Sequence, residues 1–388
     1  MDNENMAGAE ARAGRYVTQL DGYRAFVPLP LPPNPPISYD AHLLDLLSRA
    51  DRALGRLDGS ANALPNPDLF VFMYVRREAT LSSQIEGTQA SLIDLLEYEA
   101  EAGSPERPLD VEEIANYVAA MNLGLRRLDE LPVSLRLVRE IHERLLRGVR
   151  GSERTPGDFR RTQNWIGPPG STLASANYVP PPVDEMLGSL GQWELFLHDQ
   201  EPMPALVKVG LAHAQFETIH PFLDGNGRVG RLLITFLLVE RRVLSRPLLY
   251  LSHYFKQHRA EYYERLQSVR DDGDWEGWLR FYLMGVAEVA SEATDTARQI
   301  ASLREDHREV VTSNLGRGAG KGLVLLEQLF YRPIVNVNTV INMTGLSVAR
   351  ANTLVAEFER IGLLRETTGR RRNRIFSYKS YLSLFSGD

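Results

Sequence analysis

The chain contains no cysteine. That excludes disulfides, a thiolate nucleophile and any zinc or iron–sulfur site ligated by sulfur, and it suits a reducing compartment. No apolar run reaches the roughly 18 residues that would span a bilayer. The longest candidates, near residues 232–239 and 281–290, read as buried helices. The opening MDNENMAGAEARAGR has neither a basic n-region nor an apolar h-region, so it does not read as a secretory signal. There is no repeat of 20–50 residues, no Walker A Gly-Lys-Ser/Thr and no EF-hand loop. These absences lead to the expectation of a cytoplasmic protein with no membrane segment.

What is present is enough to build a core. The 388 residues are 43% hydrophobic and 24% charged, which points to two or three folded domains. The net charge of −6 is unevenly placed. Residues 316–388 hold 11 basic and 5 acidic side chains, and the preceding 315 hold 33 and 45. An acidic body carrying a basic module suggests two jobs or two partners.

Residues 1–15 read as frayed. The stretch FVPLPLPPNPP, residues 26–36, has six prolines and must be extended; it reads as a rigid strap over the domain that follows, the alternative being a ligand for a partner. Apolar spacing near 3.6 then predicts helices over 40–58, 69–85, 88–100, 111–128, 134–146, 183–198, 205–220, 228–241, 248–267 and 274–303. One clear interruption, residues 155–182, is rich in Gly, Pro, Ser and Asn and reads as a hairpin or long ordered loop.

The C-terminal module shows helices at 321–330, 338–343 and 347–361, then two short strands around TTGRRRN, residues 367–373. This is a helix-turn-helix with a basic wing. Ser347, Arg350 and Thr353 would face a DNA groove while Arg370, Arg371 and Arg372 meet phosphates. The alternative is a protein-interaction or dimer module.

The densest chemistry lies in HPFLDGNGRVGR, residues 220–231. Gly225, Asn226 and Gly227 form a turn before a helix, where backbone N–H groups make an anion nest. Arg228 and Arg231, three apart, share a face beside it. Asp224 adds a carboxylate able to hold a magnesium ion that is otherwise bound by phosphates. His220 closes the previous helix and can take a proton from a hydroxyl. Pro221 reads as a helix stop and Phe222 as a core plug. Together these groups describe phosphoryl or nucleotidyl transfer.

The segment His220-Pro221-Phe222-x-Asp224-Gly225-Asn226-Gly227-Arg228-x-x-Arg231 resembles the full signature of Fic domains, the protein adenylyltransferases. Residues 155–181 are similar to that family's flap, residues 251–266 to its following helices, and residues 26–88 to the helical region that often precedes it. The resemblance implies a mainly α fold: a Fic helical core with a short β-hairpin flap, followed by a C-terminal winged helix-turn-helix domain. Its expected divisions are 1–110, 111–305 and 316–388.

It also implies that AMP moves from ATP to a Ser, Thr or Tyr hydroxyl of a target protein. His220 would be the general base and Asp224 the Mg²⁺ ligand. Gly225, Asn226, Gly227 and Arg228 would hold the phosphates, and Tyr263 and Leu266 the adenine. Asn164, Trp165 and Ile166 would clamp the target by strand addition. Ser82-x-x-x-Glu86-Gly87 matches the family's inhibitory signature, in which Glu86 would pair with Arg231 and deny its charge to the γ-phosphate. In some relatives the equivalent glutamate also helps water remove AMP. The expectation is therefore an autoinhibited adenylyltransferase that also modifies itself, and a homodimer that buries the inhibitory helix, a partner that no single residue specifies. The rivals are a Fic enzyme using another nucleotide donor and a DNA-binding regulator with a secondary Fic activity.

Overall fold

A computed structural model describes residues 12–62, 67–100, 108–370 and 373–385. The chain opens with an antiparallel hairpin, β1 (Gly14–Thr18) and β2 (Arg24–Pro28), so part of the segment expected to fray is paired strand. The proline strap follows and lies on the body as expected. Gln215 donates to the Leu29 carbonyl, Arg12 to those of Pro35 and Pro36, and Leu31 and Ile37 are buried.

Helices make up most of the rest. They are α1 (Ala41–Asn62), α2 (Asp68–Ile85), α3 (Leu92–Ala100), α4 (Leu109–Arg127), α5 (Leu135–Leu145), α6 (Val183–His198), α7 (Ala205–Ile219) and α8 (Asn226–Glu240). After these come α9 (Ser252–Gln257), α10 (Arg259–Asp272) and α11 (Trp275–Leu315). α1 runs past Gly59 because Leu57 and Ala61 keep the buried stripe in phase, while Gly55 and Gly59 face open space. The single helix expected over 248–267 is two, broken at His258, whose backbone leaves the helical region (φ −107°, ψ 39°). α11 is longer than expected, reaching residue 315.

The site rests on two helices with almost no exposed face. Leu206 through Ile219 of α7 are buried without a break, and so are residues 228–238 of α8. They form the centre of the core and carry buried polar groups with them, among them His213, Glu217, Arg228 and Arg231. α2 is nearly as enclosed, with Met73, Tyr74, Glu78, Ser82 and Ile85 all buried.

The C-terminal module comprises α12 (Ala319–Leu329), β3 (Ile334–Asn336), α13 (Val337–Thr344), α14 (Val348–Arg360), β4 (Arg365–Glu366), β5 (Ile375–Ser377) and α15 (Lys379–Leu382). The sheet is antiparallel in the order β3-β5-β4, a winged-helix-like arrangement. Its third strand, β3, was not expected. Ser347, Arg350 and Thr353 lie exposed on α14; Arg371 and Arg372 of the wing fall outside the described residues. Among the described residues no helix is long and apolar enough to cross a membrane.

Candidate active site

The turn between α7 and α8 is set by its backbone. His220 ends α7 in the left-handed region (φ 47°), and Pro221 cannot continue the helix. Gly225 is also left-handed (φ 79°), a conformation glycine adopts without steric cost, and it opens α8. Between them Phe222 is buried and stacks on His142 at 3.7 Å. Asn226 locks the turn: its Oδ1 accepts from the Phe222 N–H and its Nδ2 donates to the Phe222 carbonyl, both at 2.8 Å.

The interrupted segment braces the same turn from outside. Arg160 donates from Nε to the His220 carbonyl (3.1 Å), and Asn164 donates from Nδ2 to the Phe222 carbonyl (2.8 Å). The expected hairpin is a single antiparallel bridge between Ile166 and Tyr178. Asn164 is therefore turned inward, unlike Trp165, which is exposed, and Ile166, which is half-buried. Tyr178 donates from its hydroxyl to the Thr218 carbonyl, tying this bridge to α7.

The His220 ring is neutral. Burial first, then the positive charges of Arg270 and Arg160, push it down to about 3, against the opposing influence of Glu86. Its Nδ1 has no hydrogen-bond partner among the described residues. Such a ring can accept a proton at one nitrogen.

Arg228 and Arg231 both project from α8 but are held by different carboxylates. Arg228 is buried, its Nη2 3.3 Å from Asp224 Oδ1 and its Nη1 ion-paired with Glu113 Oε2 at 3.5 Å, and its Nε makes no hydrogen bond among the described residues. Arg231 is buried too. It donates from Nε to Ser82 Oγ (2.8 Å), and from Nη2 to the Ser82 carbonyl (3.0 Å) and Glu86 Oε1 (2.7 Å). Burial works to raise the Glu86 carboxyl, but the charge and hydrogen bond of Arg231, with Arg228 and His220, together outweigh it and hold the group below the usual carboxylate range.

Gly227 makes this contact feasible. A Cβ there would lie 2.3 Å from Glu86 Oε1, so Glu86 sits directly against the first turn of α8, where an anion is favoured. Asp224 presents a carboxyl about a third exposed, and Arg228 is its one hydrogen-bond partner among the described residues. Tyr263 is 40% exposed beside this group, its hydroxyl pushed up to about 12 by burial first and then by Glu86, against Arg231, while Leu266 is buried in the core.

Four participants were missed in the sequence: Glu113, His142, Arg160 and Glu217. His142 accepts at Nδ1 from the Gly157 N–H and donates from Nε2 to the Asp224 carbonyl (3.0 Å), so it orients the Asp224 turn. Glu217 is buried on α7, and its Oε1 lies 2.3 Å from where a Gly230 Cβ would be. Burial and the neighbouring Glu86 raise its carboxyl to about 7, against the pull of Arg231 and Arg270.

A carboxyl raised in the folded state binds its proton where the unfolded chain has lost it. Its contribution to stability is therefore full below about 4.5 and is lost as the pH rises to about 7. Glu217→Gln should abolish that loss, worth about 2–3 kcal/mol. Denaturant titrations at pH 5 and pH 7.5 would read it; equal pH dependence in both proteins would contradict it.

Comparisons with known proteins agree with this geometry. Residues 44–126 match the Fic/DOC family N-terminal model and residues 132–238 the Fic/DOC family model. A protein adenylyltransferase Fic of Drosophila grimshawi is 30% identical over 173 residues, covering 43% of this chain and 32% of the relative. One of Culex quinquefasciatus is 34% identical over 151 residues, covering 38% and 27%. This chain thus spans about a third or less of the length of these relatives. Among solved structures, a Fic family protein from Desulfovibrio desulfuricans superposes with a TM-score of 0.59 at 19% identity, covering 88% of this chain and 97% of that one. A Fic domain containing signaling protein from Bacteroides thetaiotaomicron gives 0.52 at 16%, covering 67% and 97%. Residues 44–126 and 132–238, the second of which holds the signature turn, are thus Fic/DOC family segments related to known Fic adenylyltransferases.

Proposed function

We propose that the chain is an autoinhibited, Mg²⁺-dependent protein adenylyltransferase that acts on hydroxyl side chains of a target protein and of itself. The observation that carries the reading is the placement of a neutral His220 beside the N-terminus of α8, where Arg228 keeps its Nε donor free of hydrogen bonds among the described residues. His220 takes the proton of a Ser, Thr or Tyr hydroxyl. That oxygen bonds to the α-phosphorus of ATP, the bond from this phosphorus to the bridging oxygen breaks, and pyrophosphate leaves with the electron pair. Backbone N–H groups at Gly225, Asn226 and Gly227, with Arg228, hold the phosphate oxygens as charge builds on them.

Magnesium fits at Asp224. Its carboxyl is partly exposed with one long contact, and among the described residues no cluster of three or more His, Asp or Glu forms a metal cage. This suits an ion held by one carboxylate and by phosphates. When bound, it would neutralise phosphate charge. Tyr263 offers an exposed ring against which adenine can lie, with Leu266 supporting it from the core.

Glu86 supports the inhibitory part of the reading. Its carboxylate takes both the anion position at Gly227 and a guanidinium N–H of Arg231, so a γ-phosphate cannot use either. ATP then sits with its α-phosphate out of line for attack. Trp165 and Ile166 remain available to a target segment, while Asn164 serves the turn itself.

Incubation with Mg²⁺ and ATP labelled at either the α- or γ-phosphate tests the chemistry. Label should become fixed to protein from the α position only. Transfer from the γ position would make the enzyme a kinase and overturn the reading.

A further inference from the structure

The outer face of α2 borders a second cavity, away from the turn just described. Its volume is about 210 Å³, and it lies between α2, the start of α3 and the C-terminal end of the winged-helix-like module. Leu81, Leu92, Ile93, Leu382 and Phe385 supply apolar walls. Four polar side chains also line it. Thr80 donates to the Arg76 carbonyl, Gln84 to the Ala90 carbonyl and Ser91 to Asp94 Oδ2, so these three are engaged.

Arg77 is different. It is 8% exposed, and its guanidinium lies 4.4 Å from the centroid of the Tyr250 ring. Among the described residues no acceptor lies within hydrogen-bond distance of it, and Glu292 acts on it only from beyond salt-bridge range. Its guanidinium nitrogens are not sealed from solvent, so their five directed donors are open to an acceptor that enters the cavity. Both α2 neighbours that could help satisfy an incoming anion are already bonded. One charge, apolar walls and a small volume therefore define the complement: a single carboxylate on a short hydrocarbon tail. A phosphate ester would bring a second charge with no cation to meet it.

We infer that this cavity is a binding site for a medium-chain carboxylate, with the carboxylate on Arg77 and the tail among Leu81, Leu92, Leu382 and Phe385. Ile93, 47% exposed, stands at the mouth. Such a ligand would bridge α2 to the C-terminal module. Arg77, Thr80, Leu81 and Gln84 recur at helical spacing on one side of α2, and Ser82 and Glu86 belong to another, so the ligand would fasten the helix that carries the Arg231 contact. This consequence rests on the adenylyltransferase reading; the binding site does not.

Calorimetric titration of the full chain with octanoate tests the site. Saturable binding at one site is expected, with octanol weaker. Arg77→Gln should weaken octanoate by roughly 10–100-fold, the loss of a charge-assisted hydrogen bond, and leave octanol little changed. Ile93→Glu, at an exposed position, should repel octanoate in the same direction without disturbing the core. Absence of saturable binding would overturn the inference, and so would equal octanoate affinity in the wild type and a folded Ile93→Glu variant. Because heat of binding is read without any nucleotide, these outcomes do not depend on whether the chain transfers AMP.

Discussion

Replacing Glu86 with Gly should raise AMP transfer by roughly 10–100-fold. The carboxylate makes a charge-assisted hydrogen bond to a buried arginine, worth about 1.5–3 kcal/mol, and each 1.36 kcal/mol of barrier is tenfold in rate. Glu86 Oε1 lies 2.7 Å from Arg231 Nη2 and packs against Gly227, so the change removes one acceptor and opens the anion position. Arg231 keeps Ser82 as a partner through Oγ and the carbonyl, which holds the guanidinium in place for a γ-phosphate. The variant should lose thermal stability without nucleotide, since a buried charge has lost its counter-charge. ATP with Mg²⁺ should restore more stability to it than to the wild type. Label fixed from α-labelled ATP, and melting temperatures with and without nucleotide, measure both effects. An unchanged transfer rate in a variant that binds ATP more tightly would separate nucleotide binding from inhibition and remove Glu86 as the switch.

His220→Ala should lower transfer by roughly 10²–10⁴-fold, the usual contribution of a positioned general base. The loss should be as large in the Glu86→Gly background, because the two residues act on different atoms of the reaction. ATP affinity should change little. The ring is not among the phosphate-holding groups, and the backbone at position 220 is held by Arg160 through a carbonyl that alanine also has. Left-handed backbone is less comfortable for alanine, so circular dichroism should accompany the kinetics. A variant that folds, binds ATP and still labels protein at the wild-type rate would exclude His220 as the base.

The catalytic turn was legible in the sequence because its chemistry is local. His220, Asp224, Gly225, Asn226, Arg228 and Arg231 lie within twelve residues, and one helix end, one turn and one helix start bring them together. The Ser82–Glu86 pair was legible only through its resemblance to a signature, since almost 150 residues separate it from Arg231. Glu113, His142, Arg160 and Glu217 carry no motif. Each becomes visible only when packing places it: Glu113 against Arg228, His142 under the Asp224 carbonyl, Arg160 on the His220 carbonyl, Glu217 beside Gly230. A faint signal existed for the three that sit on helices, Glu113, His142 and Glu217: a charged or imidazole side chain on the face that periodicity assigns to the core. Spacing of three puts Arg228 and Arg231 on one side of α8, but not their partners, which packing alone reveals: Glu113 for Arg228 and Glu86 for Arg231. The break at His258 and the strand at Ile334–Asn336 are too short for periodicity to register.

The 41 residues of α11 form a rod about 60 Å long. Near its base, Trp278 donates to the Gly210 carbonyl of α7. Midway, the Tyr74 hydroxyl of α2 donates to the Ala293 carbonyl. Toward its far end, Arg304 and Arg308 pair with Glu327, and His307 meets the Tyr378 hydroxyl. The rod thus touches the helix that ends in His220, the helix that leads to Glu86 and the C-terminal module, in that order. Over that length a tilt of about 5° at the base amounts to about 5 Å at the tip. Spectroscopic labels at the tip would amplify movements at the catalytic turn too small to resolve there, and a load placed on the module would be felt at the base.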